Sequence, residues 1–262
     1  MFEWTQAVQT GDQWFVPKPA LEKSVEWQYG ILIVMSALAV AAIVYAFVHA
    51  RRHRRSDALW IVAGAALASF WEPLGDLLAH VTYHEVNQLN LTASFGFHTP
   101  LWVLPTYIVF FGAPILMLLQ WLERGVSVKA WMLYFFASIP GALLFEVPLL
   151  EMGSIEYYGA NQPLKILGYP LWMAFVNSGT MFVVTTAVYF LRKSPFIGTH
   201  PILLAPLLPM LVLGANAGAG LPLSHAINSA ASLQVVNLMA VASMALSTLY
   251  AWICGKLLES DR

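Results

Sequence analysis

Long apolar runs alternate with short polar stretches along the whole chain. Seven of the runs reach about 20 residues, which is the length an α-helix needs to cross the hydrocarbon core of a bilayer. They lie near 30–50, 58–79, 99–121, 130–150, 168–191, 201–220 and 233–254. The pattern predicts an all-α membrane protein with seven transmembrane helices, forming one polytopic domain over residues 29–262.

The composition agrees with a chain that lies mostly in lipid. Of the 262 residues, 59% are hydrophobic and 10% are charged, whereas a soluble domain is about a quarter charged. Residues 1–28 have neither the basic start nor the apolar centre of a signal peptide. Their tryptophans favour a segment at the outer membrane interface, with a disordered tail as the alternative. No basic patch indicates a nucleic-acid partner, and the sequence does not indicate an oligomeric state.

The basic residues are distributed unequally between the two sides. With the N-terminus outside, three basic residues lie outside and ten lie inside. The outer three are Lys18, Lys23 and Lys165, and the inner ten are Arg51, Arg52, Arg54, Arg55, Arg124, Lys129, Arg192, Lys193, Lys256 and Arg262. Because short cytoplasmic loops carry an excess of Lys and Arg, we expect a multi-pass inner-membrane protein with its N-terminus outside and its C-terminus in the cytoplasm.

Helices two and three form a hairpin whose sequence resembles that of helices four and five. When "FWEPLGDLLAHVTYHEVNQ" is set above "LFEVPLLEMGSIEYYGANQ", four polar residues match at a constant offset of 74. The matched pairs are Glu72 with Glu146, Tyr83 with Tyr157, Asn87 with Asn161, and Gln88 with Gln162. Further on, "TPLW" at 99–102 matches "YPLW" at 169–172 at an offset of 70. Both hairpins would run in the same direction through the membrane, which predicts a parallel repeat.

Glu72 and Glu146 are the strongest candidates for a functional site. At 1.5 Å per residue they lie roughly 20 and 24 Å from the inner ends of their helices. A charge at that depth is costly, so such residues face the interior of a bundle and mark function by default. The alternative is a carboxyl group that only bonds one helix to another. The repeat places the two glutamates at similar depth, where we expect them to face each other or a common cavity.

Other polar and aromatic residues could complete such a cavity. Asp76, His80 and His84 follow Glu72 at four-residue intervals, which predicts one polar stripe along a helical face. Asn177, Asn216 and Asn237 lie inside later helices. The candidates for contact with a substrate are Trp71, Tyr83, Trp102, Tyr157, Asn161, Gln162, Trp172 and Asn177. Trp102 and Trp172 also suit the alternative role of interfacial anchors.

Buried carboxyl groups suit acid–base chemistry on a lipid-soluble substrate. Burial disfavours the charged form of a carboxyl group, so that one can stay protonated and act as a general acid. Glu72, which lies deeper, would be the acid, and Asp76 or Glu146 the base. Aromatic faces could stabilise a cationic centre. The matching reactions are cyclisation, isomerisation, dehydration or hydration of an isoprenoid, polyketide or sterol-like molecule, and they require no cofactor.

The seven-helix plan with the pair Trp71–Glu72 late in the second helix resembles the integral-membrane terpene cyclases of meroterpenoid pathways. The layout from Trp71 through Asn87 and Gln88 to "PLW" is also similar to the bacterial membrane spirocyclases, which close spiroketals in polyketides. These resemblances imply a cyclase. The terpene cyclases have a second acidic residue in a late helix, whereas helices six and seven here contain no Asp or Glu before Glu259. Glu146 would have to take that role.

Two other classes of protein fit part of the pattern. One is a proton-coupled transporter or receptor of the seven-helix type, although a retinal Schiff base in the seventh helix is excluded because Lys256 lies beyond its predicted end. The other is a metal-dependent membrane oxidase or hydroxylase. Its single transition metal would be bound by Asp76, His80, His84 and His98, which offer carboxylate and imidazole ligands.

Overall fold

The computed structural model describes residues 8–10, 13–15, 26–83, 88–159 and 161–261. Within them lie seven helical segments long and apolar enough to cross a membrane, as the sequence predicted. These spans, named first to seventh in chain order below, are Trp27–His53, Asp57–Ala79, Val103–Glu123, Val128–Glu151, Leu171–Lys193, Pro201–Ile227 and Leu233–Ser260. The chain is therefore a multi-pass membrane protein.

Four of the spans are built mainly from one long helix each. These helices are α1 (Glu26–His53), α6 (Val128–Glu151), α7 (Leu171–Lys193) and α10 (Leu233–Ser260). The sixth span joins a 3₁₀ turn, Pro201–Leu203, to α9, Leu204–Ile227. A short helix, α8 (Pro195–Thr199), precedes that turn.

The second and third spans are interrupted helices. The second consists of α2 (Asp57–Ala68), a 3₁₀ turn (Ser69–Trp71) and α3 (Glu72–Ala79). Pro73 lacks the N–H that a continuous helix would need, and the break therefore comes just before it. The third consists of α4 (Val103–Tyr107), a π-helical turn (Ile108–Gly112) and α5 (Ala113–Glu123).

Small two-stranded antiparallel sheets lie outside the spans, three of them in the loops between the second and third and between the fourth and fifth spans. The strands are β1 (Val8–Thr10), β2 (Gln13–Phe15), β3 (Val81–Tyr83), β4 (Asn90–Ser94), β5 (Phe97–Pro100), β6 (Ile155–Tyr157), β7 (Lys165–Ile166) and β8 (Tyr169–Pro170). They pair as β1–β2, β3–β6, β4–β5 and β7–β8. Apart from β1–β2 and the start of α1, the expected interfacial segment 1–28 lies outside the described residues.

The starts predicted for the third and fifth helices, 99 and 168, were wrong by a few residues. Thr99 and Tyr169 belong to strands β5 and β8. Each precedes a proline, and the ring of a following proline disfavours helical backbone at the residue before it. Each apolar run therefore continues as a strand before its helix begins.

Small residues allow the central helices to approach closely. A Cβ atom added to Gly64 of α2 would lie 2.7 Å from Cβ of Leu208 in α9, and one added to Gly179 of α7 would lie 3.0 Å from Cβ of Ser247 in α10. Without a hydrophobic driving force between helices in lipid, such close packing is a main source of association. α1 lies at the edge of the bundle, with most of its surface exposed.

Candidate functional site

A cavity of about 120 Å³ lies among the second to sixth spans, next to the β3–β6 sheet. Both Glu72 and Glu146 line it, as expected from the repeat. Its other lining residues are Trp71, Gly75, Asp76, Ala79, Val81, Tyr83, Trp102, Val103, Thr106, Tyr107, Phe110, Phe111, Phe145, Leu149, Ile155, Tyr157, Met173, Asn177 and Asn216. One water needs about 10–15 Å³ of such volume, so the space can hold several waters or a small organic group.

Glu72 is the first residue of α3, where the broken second span resumes. Tyr83 of β3 donates a hydrogen bond to its Oε1, and Tyr107 of α4 donates one to its Oε2. Both carboxylate oxygens are therefore engaged by phenol groups from different elements. This fixes the orientation of the Glu72 carboxylate against the cavity.

Glu146 lies near the end of α6 and accepts hydrogen bonds from three side chains. Tyr157 donates to its Oε2 at 2.6 Å, while Tyr169 and Asn177 donate to its Oε1 at 3.1 and 3.2 Å. Asn216 of α9 in turn donates to Oδ1 of Asn177 at 3.2 Å. The network links the Glu146 carboxylate to the fifth and sixth spans.

The tyrosines that contact the two glutamates stay protonated donors. Burial, and after it the charge of the neighbouring glutamate, raises the pKa of Tyr83 and of Tyr157 well above the ordinary value. The same two causes act in the same order on the pKa of Tyr169. Each phenol therefore keeps its proton at neutral pH and donates a hydrogen bond to an oxygen of the glutamate side chain.

The β3–β6 sheet places residues of alternate positions against the cavity. Its register pairs Val81 with Tyr157 and Tyr83 with Ile155, and all four residues line the cavity. Because side chains alternate between the two faces of a strand, the central pair, Thr82 and Glu156, points away. One short sheet thus supplies a phenol to each glutamate.

Aromatic rings form much of the cavity wall. The ring of Trp71 packs directly on Gly75, where an added Cβ atom would lie only 2.3 Å from Cζ3 of the indole. Trp71 also meets Tyr107 edge to face at 6.3 Å between ring centroids, and Trp102 meets Tyr83 in the same way at 5.5 Å. The two tryptophans of the wall therefore contact the two tyrosines that donate hydrogen bonds to Glu72.

Of the candidates from the sequence, Asp76, Trp71, Trp102, Tyr83, Tyr157 and Asn177 line the cavity, whereas three others do not. Trp172 is almost fully buried elsewhere in the bundle, with its ring near Gly220. Gln162 instead donates a hydrogen bond to the carbonyl oxygen of Ala79 at 2.6 Å. Asn161 is partly exposed in the loop after β6.

The predicted helical stripe through His80 and His84 was wrong, because α3 ends at Ala79. His80 adopts a left-handed backbone conformation with φ of 53°, and the chain then enters β3. Its Nε2 lies 3.1 Å from Oδ1 of Asn228, and its ring stacks on Tyr158. Burial lowers the pKa of His80 to about 4, so its ring is neutral. Because Oδ1 of Asn228 can only accept, Nε2 of His80 carries the proton and is the donor.

The alternative metal ligands that the structure describes are not gathered into one cluster. Among the described residues, no group of three or more His, Cys, Asp or Glu side chains is placed to hold a metal ion. Asp76 lines the cavity, His80 bonds to Asn228, and His98 lies in β5. His84 falls outside the described residues, as does Asn87.

Two contact residues, Tyr107 and Tyr169, were not among the sequence candidates. Tyr107 lies 70 residues before Asn177, which is the offset that relates the two "PLW" motifs. Following that offset along the helix would have pointed to it, although tyrosine and asparagine differ. Tyr169 is the residue just before the second motif. Both residues are uncharged tyrosines, so they are less conspicuous in an apolar run than a charged residue is.

The arrangement brings three carboxyl groups, those of Glu72, Asp76 and Glu146, together with several neutral donors and an aromatic wall to one small space inside the membrane. Such a site can donate and accept protons and can stabilise a positive charge against aromatic faces. No protein-family model, curated protein or solved structure matches the chain.

Proposed function

We propose that the protein is an integral-membrane enzyme that acts on a small lipophilic substrate by carboxylic acid–base catalysis. The reaction would be a cyclisation, an isomerisation, or a dehydration or hydration. The observation that carries the proposal is that Glu72 and Glu146 line one cavity while each is held by phenol donors. General acid–base catalysis requires groups fixed within reach of the reacting atom, and this arrangement supports that role.

The two glutamates would have different roles. Glu146 accepts three hydrogen bonds from neutral donors, whereas Glu72 accepts two. Because hydrogen bonds to the charged form of a carboxyl group favour that form, Glu146 is the better base and Glu72 the better acid. Asp76, on the same helix as Glu72, would serve as a further carboxylate against a cationic intermediate.

The proposed substrate is an isoprenoid, polyketide or sterol-like molecule. Trp71, Trp102, Phe110 and Phe145 give the cavity apolar and aromatic walls, which favour a hydrocarbon framework over a sugar or a nucleotide. Their faces would stabilise a carbocation or an oxocarbenium ion. This substrate class is also the one implied by the resemblance to the membrane cyclases.

We further propose that the two hairpins form a parallel repeat. Tyr83 lies 11 residues after Glu72, Tyr157 lies 11 residues after Glu146, and each tyrosine donates to the glutamate that precedes it. With an offset of 74, the β3–β6 register pairs each strand with its own equivalent about the central pair Thr82–Glu156. This local two-fold relationship supports a duplication.

The hairpins β4–β5 and β7–β8 support the same proposal. Each turns at a pair of residues with positive φ, Phe95–Gly96 in the first and Leu167–Gly168 in the second. The offset between the two turns is 72, which lies midway between the offsets of 74 before them and 70 after them. The second hairpin segment is thus shorter by two residues on each side of its turn. A change of two residues keeps every side chain on its original face.

The proposed orientation has the N-terminus outside and the C-terminus in the cytoplasm of an inner membrane, because ten of the thirteen basic residues would then lie inside. A fluorescent protein fused after Arg262 should be bright, and alkaline phosphatase fused at the same point should be inactive. The reverse pair of results would overturn this orientation.

The enzyme proposal is tested by incubating the purified protein in D₂O with a lipid extract rich in isoprenoids and sterol-like molecules. Protonation of a double bond leaves one solvent deuteron in the product. We expect a lipid whose mass carries that deuteron to accumulate with the wild-type protein and not with Glu72→Gln. If no lipid gains deuterium or changes structure with the wild-type protein, the proposal fails.

One observation favours proton-coupled transport as the second candidate. The hydrogen bonds from Glu146 through Asn177 to Asn216 run along the cavity wall and connect the carboxyl group with the fifth and sixth spans. Liposomes containing the protein and a pH-sensitive dye distinguish the two functions. A proton flux that depends on an added solute and is abolished by Glu146→Gln would favour transport, whereas the enzyme should give none.

A further inference from the structure

Two recesses at the other end of the bundle share one side chain, Arg124. One, here called the apolar groove, has a volume of about 970 Å³ and opens between α1, α5, α6 and α7. The other, here called the basic pocket, has a volume of about 610 Å³ and lies at the ends of α5 and α7. Arg124, the residue directly after α5, lines both. Neither recess shares a lining residue with the cavity that contains Glu72 and Glu146.

The apolar groove has the character of a site for a hydrocarbon chain. Along it lie Leu38 and Ala42 of α1, Met117 of α5 and Ala137 of α6. Most of its polar groups lie close to the Arg124 end, where Gln120 donates a hydrogen bond to the hydroxyl group of Tyr45. Ser138 lies further along the groove, and its hydroxyl group donates to the carbonyl oxygen of Phe135. The groove is therefore mainly apolar along its length and more polar at one end.

The basic pocket is lined by four cationic side chains and one anionic side chain. The cations are Arg55, Arg124, Arg192 and Lys193, and the anion is Glu123. Glu123 is already engaged, because its Oε1 lies 3.0 Å from Nη2 of Arg192. The pocket therefore keeps an excess of positive charge.

Ion pairs, of which the one between Arg192 and Asp57 is buried, hold the pocket in shape. The side chain of Arg192 is only 10% exposed, and its Nε lies 2.5 Å from Oδ2 of Asp57, which also pairs with Arg55 at 3.3 Å. Lys193 pairs with Asp261. Arg124 differs from these groups, since within the described part of the chain it makes no ion pair. Its guanidinium group, exposed where groove and pocket meet, is thus placed to bind an anion.

We propose that the groove and the pocket together bind one anionic phospholipid, with an acyl chain in the apolar groove and the phosphate group against Arg124 in the basic pocket. Basic pockets between transmembrane helices bind anionic head groups, and a guanidinium group matches a phosphate with two parallel hydrogen bonds. Arg124 follows the last helical residue of the third span, which is the level of the lipid head groups. The lipid is the occupant because both halves of the site, apolar and cationic, match one amphiphilic molecule.

Native mass spectrometry tests the proposal. The protein in detergent is mixed with a defined lipid, and the lipid that stays bound after the detergent is removed is measured. The probes are dioleoyl phosphatidylglycerol, dioleoyl phosphatidylcholine with identical chains, and inorganic phosphate. We expect phosphatidylglycerol to be retained at about one molecule per chain, and the other two probes to be retained weakly. Equal retention of phosphatidylcholine would overturn the role of the phosphate site. Equal binding of inorganic phosphate, or its displacement of the lipid, would overturn the role of the groove.

Matched variants separate the two halves of the site. Arg124→Gln should lower the affinity for phosphatidylglycerol about ten-fold, while Lys129→Gln, which removes an equal charge from a nearby exposed position outside both recesses, should not. Ala137→Phe should fill the groove and lower the affinity, while Leu133→Phe on the same helix should not. If Lys129→Gln weakens retention as much as Arg124→Gln, the lipid is retained by general attraction to positive charge, and the proposed site is wrong. Thermal melting with phosphatidylcholine alone reports whether each variant is folded.

Discussion

Glu72 and Glu146 are 74 residues apart in the chain, yet their carboxylates line the same cavity. They come from two spans that are not neighbours in sequence, and the β3–β6 sheet joins the loops that follow them. A carboxyl pair of this kind can divide the work of donating and accepting a proton. The consequences are open to direct measurement.

Replacement of either glutamate by glutamine should lower turnover by about 10²- to 10⁴-fold, which is the usual contribution of a general acid or base. Because the two groups act as a unit, the double variant should be little worse than either single variant. The rate of product formation measures this. Glu151→Gln, at the exposed end of α6, is the matched control and should keep the wild-type rate. Full turnover by Glu72→Gln would show that this residue is not the acid.

The tyrosines that donate to the glutamates should not be equally important. Tyr83→Phe leaves Glu72 with Tyr107 as its remaining donor, whereas Tyr157→Phe leaves Glu146 with Tyr169 and Asn177. A hydrogen bond contributes about 0.5–1.5 kcal/mol when its acceptor is neutral, as the protonated Glu72 would be, and up to about 3 kcal/mol when its acceptor is charged. We therefore expect Tyr83→Phe to lower the free energy of unfolding by an amount within these limits and Tyr157→Phe by less.

Thermal or denaturant melting in detergent provides the comparison between the two tyrosine variants. Tyr250→Phe in the seventh span is the control, and it should melt as the wild-type protein does. If Tyr157→Phe is the more damaging change, the number of donors does not set the importance of each phenol.

Gly75→Ala should damage the site, because the new methyl group would meet the indole ring of Trp71, which would then have to move from the cavity wall. Overpacking of this kind costs about 1–3 kcal/mol. Gly141→Ala in α6 is a matched control, since its added Cβ atom meets open space and should stabilise the helix by up to about 1 kcal/mol. Melting temperature and turnover should fall in the first variant only. Wild-type turnover by the Gly75→Ala protein would show that the position of Trp71 does not matter for activity.

His80 should make the folded protein sensitive to acid. Burial lowers its pKa in the folded state to about 4 from the ordinary 6.5, so the unfolded chain takes up a proton first as the pH falls. The stability due to neutral His80 is therefore complete above about pH 6.5 and is lost progressively down to about pH 4. From the difference in pKa, the loss is about 3 kcal/mol.

Melting curves between pH 7 and pH 4 measure the contribution of His80. His80→Asn tolerates the left-handed backbone and should show a shallower loss of stability than the wild-type protein. His225→Asn, at an exposed position of α9, should keep the wild-type slope. Equal slopes for all three proteins would show that His80 is not the group responsible.

Much of the fold follows from the sequence because hydrophobic length dominates in a membrane protein. The seven spans and the shared cavity of the two glutamates could be predicted, since a carboxylate in an apolar run is conspicuous. The end of α3 could not, because neither a glycine nor a proline follows Ala79. The helix ends because His80 adopts a left-handed backbone conformation, which a histidine in the sequence does not predict.

The individual donors were harder to predict than the carboxylates. Tyr107 and Asn177 occupy positions 70 residues apart and each donates to one glutamate, but a comparison based on identical residues does not match a phenol with an amide. Trp102 and Trp172 show the reverse case. They match in sequence, and both are buried, yet only Trp102 lines the cavity. Matching positions can thus share a role without sharing a residue, and share a residue without sharing a role.

The 28 residues of α1 have a consequence for the membrane itself. At 1.5 Å per residue the helix is about 42 Å long, which exceeds a hydrocarbon core of about 30 Å. A helix with excess length tilts, and it tilts further in a thinner bilayer. Since α1 forms one wall of the apolar groove and has few packing partners, its tilt should follow bilayer thickness, and the width of the groove should change with the lipids that surround the protein.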